Sequence, residues 1–219
     1  MLAIKYTDTP FLPSFTALSL SLVCTLAITD TQAAANELYR DEPISPIPQK
    51  IEVNEARAQL GEKLFFDTRF SRNNTLSCAS CHQLEAGGDD NVATGISSSE
   101  DHHTVNTPSI FNVRYNFRQN WDGSARSLEQ QLDMVLKNHH EFNEEWTNIV
   151  EKLTQDEEIL GSFNAMYPDG VSKENIIAAI VEFEKTLITP NSRFDRYLRN
   201  EDNSLSSEEI KGYTLFKEL

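Results

Sequence analysis

The 219-residue chain is short of basic residues: 19 Lys and Arg stand against 34 Asp and Glu, a formal net charge of −15. That shortage argues against a nucleic-acid-binding protein, because a polyanion needs a basic footprint that no segment supplies. Cysteine is scarce too, and three are too few for a disulfide scaffold. No alternating apolar–polar run of useful length occurs, nor any internal repeat, which removes sheets and repeat arrays. The one long apolar stretch, residues 15–28, is too short to span a bilayer comfortably. What is present, 39% hydrophobic residues, suffices for one ordinary domain or two small ones and is too apolar for a disordered acidic tail.

That apolar stretch is preceded by Lys5 and runs into Thr31-Gln32-Ala33-Ala34-Ala35. A positive start, an apolar middle and a small-residue end read as a secretory signal peptide over residues 1–35, cleaved near Ala35. The alternatives are a misassigned start and a short buried helix. Cys24 lies in this leader behind Val23, a poor residue for lipoprotein cleavage, so no lipid anchor is expected. The mature chain is expected to stay acidic, to work outside the cytoplasm and to have no membrane span.

Residues 36–53, with Pro43, Pro46 and Pro48, read as an extended arm. From Asn54, a plausible N-cap, a helical pattern carries Ala58, Leu60, Leu64 and Phe65. Residues 66–126 show little periodicity, and a stretch that long is expected to be functional or to wrap a bound group. Helical spacing returns after Ser127, where Gln130 completes a capping box and Leu128, Leu132, Val135 and Leu136 form one stripe. Asn143 reads as the cap of a segment with Trp146, Ile149, Val150 and Leu153. Further helices are expected over 156–166, over 172–187 and from Ser206, with Glu209 in capping-box position. An EF-hand reading of the last region fails: with Glu209 as final ligand, Leu198 falls first and Asn203 falls where Gly is required. The expected fold class is all-α.

Cys78-Ala79-Ser80-Cys81-His82 is a C-x-x-C-H sequence, the attachment motif of c-type haem. Two thiols one helical turn apart can add to the two vinyl groups of one porphyrin, and His82 can turn its imidazole onto the iron. The alternatives are a redox dithiol, which lacks the usual βαβ setting, and a zinc half-site completed by His82 with His102 or His103. A visible spectrum separates them, since zinc and disulfides are colourless.

Several motifs in order then resemble one family: Leu60-Gly61-Glu62-Lys63-Leu64-Phe65-Phe66-Asp67, Phe70-Ser71, Ser77 to His82, Asn106-Thr107-Pro108-Ser109-Ile110-Phe111-Asn112, and Trp121-Asp122-Gly123. Together they are similar to the bacterial di-haem cytochrome c peroxidases and their methylamine-utilisation relatives. The resemblance runs from about residue 54 to the end. It implies a periplasmic enzyme of two cytochrome c-like domains, in which the N-terminal haem reduces hydrogen peroxide and the C-terminal haem relays electrons from a small donor such as a cytochrome c or cupredoxin. On that footing Cys78 and Cys81 carry haem c, and His82 is its proximal ligand. Trp121 corresponds to the tryptophan between the haems, Glu141 to the distal acid/base, and Asn106 to a side chain that helps bind calcium. Residues 54–190 would form the peroxidatic haem domain and 191–219 the start of a second.

Two departures shape the expectation. Asn120-Trp121-Asp122-Gly123-Ser124 replaces a Phe-Trp-Asp-Gly-Arg pattern, changing the packing around Trp121. No histidine stands near Ile96, where relatives often carry a displaceable distal ligand, and His102 and His103 are shifted; an open five-coordinate iron is expected. Ile210 to Lys217 resembles the helix that leads to a second C-x-x-C-H, and none follows within the sequence. The expectation is a truncated product with one haem and impaired turnover. The rival reading is a mono-haem electron carrier with Met134 or Met166 as second axial ligand. Neither the residues nor the resemblance fixes whether the chain forms a homodimer.

Overall fold

The computed structural model describes residues 39–95 and 105–219. The expected signal peptide, Cys24, Ile96, His102 and His103 lie outside them. Helices and turns account for all regular structure among the described residues apart from two isolated bridges, Gln83 with Asp89 and Gln119 with Ala125. The fold is all-α.

The chain divides into two compact units. The larger, Ile47–Asn191, opens with α1 (Glu55–Phe65), whose N-cap Asn54 accepts the Arg57 N–H. Among the described residues between α1 and α3 (Leu128–Lys137) come short turns and one four-residue helix, α2 (Cys78–Cys81). Where it is described, the aperiodic stretch is thus a loop region held by side-chain caps instead of long helices. Then follow α4 (Trp146–Thr154), α5 (Glu157–Met166) and α6 (Lys173–Glu184).

The caps explain most of these boundaries. Ser127 accepts the Gln130 N–H at 3.2 Å, although the Gln130 side chain reaches back to the Arg126 N–H and leaves the box half closed. Asn143 is not the cap of α4. It adopts a left-handed φ of 49° and donates its N–H to the Asn138 carbonyl, closing a turn, while Glu145 takes the cap position. Helix α6 also stops earlier than the spacing suggests, because the Thr186 hydroxyl and N–H both turn back onto the Phe183 carbonyl.

The core of this unit is built on the α1–α6 crossing. Gly61 makes it possible: a Cβ there would lie 1.9 Å from the Ala179 carbonyl oxygen, so only glycine lets the helices approach. Phe65 and Phe183 then meet edge to face at 5.2 Å. Leu136, Ile149, Leu153, Phe163 and Ile176 fill the remainder.

The smaller unit joins residues 39–46 to Ser192–Leu219. It contains α7 (Arg193–Leu198) and α8 (Ser207–Glu218). The Ser206–Glu209 capping box opens α8 as expected. Arg40 donates its backbone N–H to Leu198 and its Nε to Tyr197, with its guanidinium 4.3 Å above the Tyr197 ring. Glu42 accepts the Tyr213 hydroxyl at 3.0 Å and the Lys217 ammonium at 2.8 Å. Local sequence contains no hint of this long-range pairing.

Candidate haem-attachment site

Helix α2 is a single turn, and its whole length is the Cys78–Cys81 spacing. Ser77 and Ser80 cap it reciprocally, which lets so short a helix stand. One turn places both thiols toward one side, and neither is in a disulfide: Cys78 is buried and Cys81 partly so. Burial pushes the Cys78 thiol well above its ordinary range, with the Glu184 carboxyl as the second cause. Such a thiol is a poor redox nucleophile, which disfavours the dithiol reading.

His82 follows at once, its N–H bonded to the Cys78 carbonyl at 2.9 Å. Its Nδ1 lies 3.0 Å from the Gly88 carbonyl. A carbonyl can only accept, so Nδ1 carries the proton and Nε2 keeps its lone pair for a metal. Burial lowers the imidazole pKa, and the Gly88 and Pro108 carbonyls and the Asp90 charge oppose it.

Gly88 accepts a second bond, from the Ile110 N–H at 3.0 Å. Its φ is +80°, and a Cβ would press within 2.9 Å of the Phe111 ring. Here the Asn106–Asn112 motif finds its physical purpose: it lines the wall behind His82. Thr107 donates to buried Asp90 at 2.8 Å, Ser109 to the Gly87 carbonyl at 2.6 Å, and Asn112 its N–H to the Leu187 carbonyl at 2.7 Å. These acceptors were hidden in the sequence, since carbonyl direction follows backbone geometry and not residue type.

Asn106 and Trp121 are brought together. The Trp121 indole N–H donates to the Asn106 carbonyl at 2.7 Å, and the Asn106 amide donates to the Val92 carbonyl at 2.6 Å. The Trp121 ring is 67% exposed. No cluster of three His, Cys, Asp or Glu that could hold a metal ion occurs among the described residues.

Glu141 lies in the turn after α3. Burial raises its pKa to about 7, against a hydrogen bond from the Asn138 side chain that lowers it. Of the two methionines named as axial ligands, Met134 is 40% exposed on α3, whereas Met166 packs on the core. One residue escaped the sequence reading altogether: Glu184, a buried carboxyl at the end of α6 raised to about 8 by burial and by the Glu129 charge. The signal was available, because Glu184 continues the buried Ile177–Ile180 stripe at helical spacing.

Two thiols one turn apart and outside any disulfide, with an adjacent imidazole whose tautomer is fixed, fit a covalently attached haem. The comparisons agree. Residues 55–203 match the family described as di-haem cytochrome c peroxidase, and the chain belongs to that family. It is 43% identical over 181 residues to the cytochrome c peroxidase Ccp of Escherichia coli, covering 82% of this chain and 39% of that protein. With the cytochrome c551 peroxidase of Nitrosomonas europaea the identity is 37% over 192 residues, 84% of this chain and 56% of the relative. Among solved structures, a MauG-like protein associated with microbial copper homeostasis superposes with a TM-score of 0.69 at 30% identity, over 81% of this chain and 53% of that one. The chain therefore spans 39–56% of the length of these relatives.

Proposed function

We propose that the chain is a c-type haem protein that reduces hydrogen peroxide to water with electrons from a small redox protein, in the periplasm after export by its leader. The observation that carries this is His82: its Nδ1 lies against the Gly88 carbonyl, which reserves the Nε2 lone pair for a metal, directly after two cysteines that form no disulfide. Cys78 and Cys81 would hold one haem c, which supplies the redox-active iron, and His82 would ligate it.

Glu141 supplies the proton chemistry. Splitting the O–O bond unevenly requires a proton to leave one peroxide oxygen and arrive on the other, so that water departs. A carboxyl poised at about 7 can accept it and return it at neutral pH. Trp121 would pass electrons at its exposed face, and Asn106 would contribute to a calcium site. The acidic surface suits a basic donor, whose encounter rate should fall as salt rises.

The test is the chain matured with haem and assayed with peroxide and a reduced cytochrome. Covalent haem is expected by pyridine haemochrome, and the peroxide rate should climb with pH through about 7 as Glu141 becomes a base. Glu141→Gln should cut that rate about 10²–10⁴-fold with the haem spectrum intact. A methionine-sulfur charge-transfer band with no peroxide turnover would instead establish an electron carrier.

A further inference from the structure

Glu184 is 5% exposed, and its Oε2 has no hydrogen-bond partner among the described residues. An orphaned carboxyl oxygen in a core costs free energy that an aliphatic side chain would avoid, so its presence needs a reason. Its surroundings supply one. Neighbouring positions on α6, Ile176, Ile177, Ile180 and Phe183, are all buried and apolar. Lys185, next in the chain, turns to Glu182 at 3.5 Å and leaves Glu184 uncompensated. The charge that bears on Glu184 is Glu129, exposed on α3; from α1, the helix packed most closely on α6, none does. From α2, the group it influences is the Cys78 sulfur: after burial, Glu184 is the largest influence on that thiol.

We propose that Glu184 is a redox-linked proton site of the haem centre carried by Cys78 and Cys81, taking up one proton when the iron gains one electron and releasing it when the electron leaves. This rests on the haem attachment proposed above. Ferric iron with the Glu184 carboxylate, one electron from a one-electron redox protein and one proton from water become ferrous iron with the Glu184 carboxylic acid. Only the carboxyl O–H bond forms. The direction follows from electrostatics: an added electron makes the nearby site more negative, and in a low-dielectric interior a proton on Glu184 is then held more tightly. Burial and the Glu129 charge place this exchange near neutral to mildly alkaline pH.

Spectroelectrochemical titration of the full chain loaded with haem, from roughly pH 6 to 10, tests the proposal. The midpoint potential should fall as pH rises through the Glu184 window, by about 59 mV for each tenfold difference in proton affinity between the ferrous and ferric forms. Glu184→Gln should be flat there and lie near the acid-side value, because the amide resembles the protonated acid. Glu129→Gln, a surface change, should move the fall to lower pH. A wild-type potential flat across the window overturns the proposal, as does a Glu184→Gln protein that keeps the wild-type slope. Should Glu184→Gln fail to accumulate, an unmoved fall in Glu129→Gln overturns it equally. A chain with no covalent haem by pyridine haemochrome overturns the attachment reading instead, a result distinct from a haem-loaded protein with a flat potential.

Discussion

Asparagine does in this chain much of what glycine does elsewhere. Asn74, Asn91, Asn112, Asn120, Asn143, Asn200 and Asn203 all have positive φ, whereas the whole sequence has eight glycines. Asparagine tolerates the left-handed region because its short amide can bond locally, and at Asn112 it bonds further afield. Its Nδ2 donates to the Thr189 hydroxyl at 2.7 Å and its Oδ1 accepts the Thr189 N–H at 2.8 Å, tying the wall behind His82 to the segment after α6. Two substitutions separate backbone from side chain. Asn112→Gly keeps the φ of 61° and loses the bonds, at about 1–2 kcal/mol; Asn112→Ala loses both and should cost about 2–4 kcal/mol. Equal losses in urea titrations of the two variants would show that φ contributes nothing.

Among the elements, the α1–α6 crossing is the least tolerant. A methyl at Gly61 would have to displace the Ala179 carbonyl, so Gly61→Ala should destabilise by at least 1–3 kcal/mol, despite the better helix propensity of alanine, roughly 1 kcal/mol in its favour. A thermal midpoint at or above wild type would contradict that packing. The elements also show what a sequence can express. Asn54, Ser127 and Ser206 act within a turn of their own helix, so they are legible, and the Cys78–His82 motif fixes its own geometry in a single turn. Asn143 misleads because a residue that caps well also turns well, and the choice belongs to the contacts of Glu144, which is buried against Lys152 at 2.6 Å. The Gly88 acceptor and the Arg40 and Glu42 pairings depend on partners distant in the chain, and no local pattern encodes those.

At the scale of the whole molecule, pH separates opposing groups. Glu141 and Glu184 ionise at about 7 and about 8 in the fold, against an ordinary 4.5, so folding prefers their protonated forms. The stability they allow is complete below 4.5 and is lost as pH climbs through their folded values. His82, lowered from 6.5, works in the opposite sense: its contribution is complete above 6.5 and is lost as pH falls below that value. Glu42 is lowered, first by its bond to Lys217, so its contribution is present above 4.5 and is lost on acidification below that. The thermal midpoint should therefore decline from pH 6.5 to above 8, and a Glu141→Gln, Glu184→Gln double variant should flatten that decline. An undiminished slope in the double variant would assign it to other groups. The division into two units adds a dimension of time. A chain is delivered N-terminus first, so Ile47–Asn191 arrives as one uninterrupted length with Cys78, Cys81, His82, Glu141 and Glu184 all inside it. Arg40 and Glu42 arrive earlier still, yet must wait for Tyr197, Leu198, Tyr213 and Lys217, which appear after that whole length. The first described residues thus find their place only after the length that follows them has appeared, and the thiol pair can be folded before the segment that precedes it is docked.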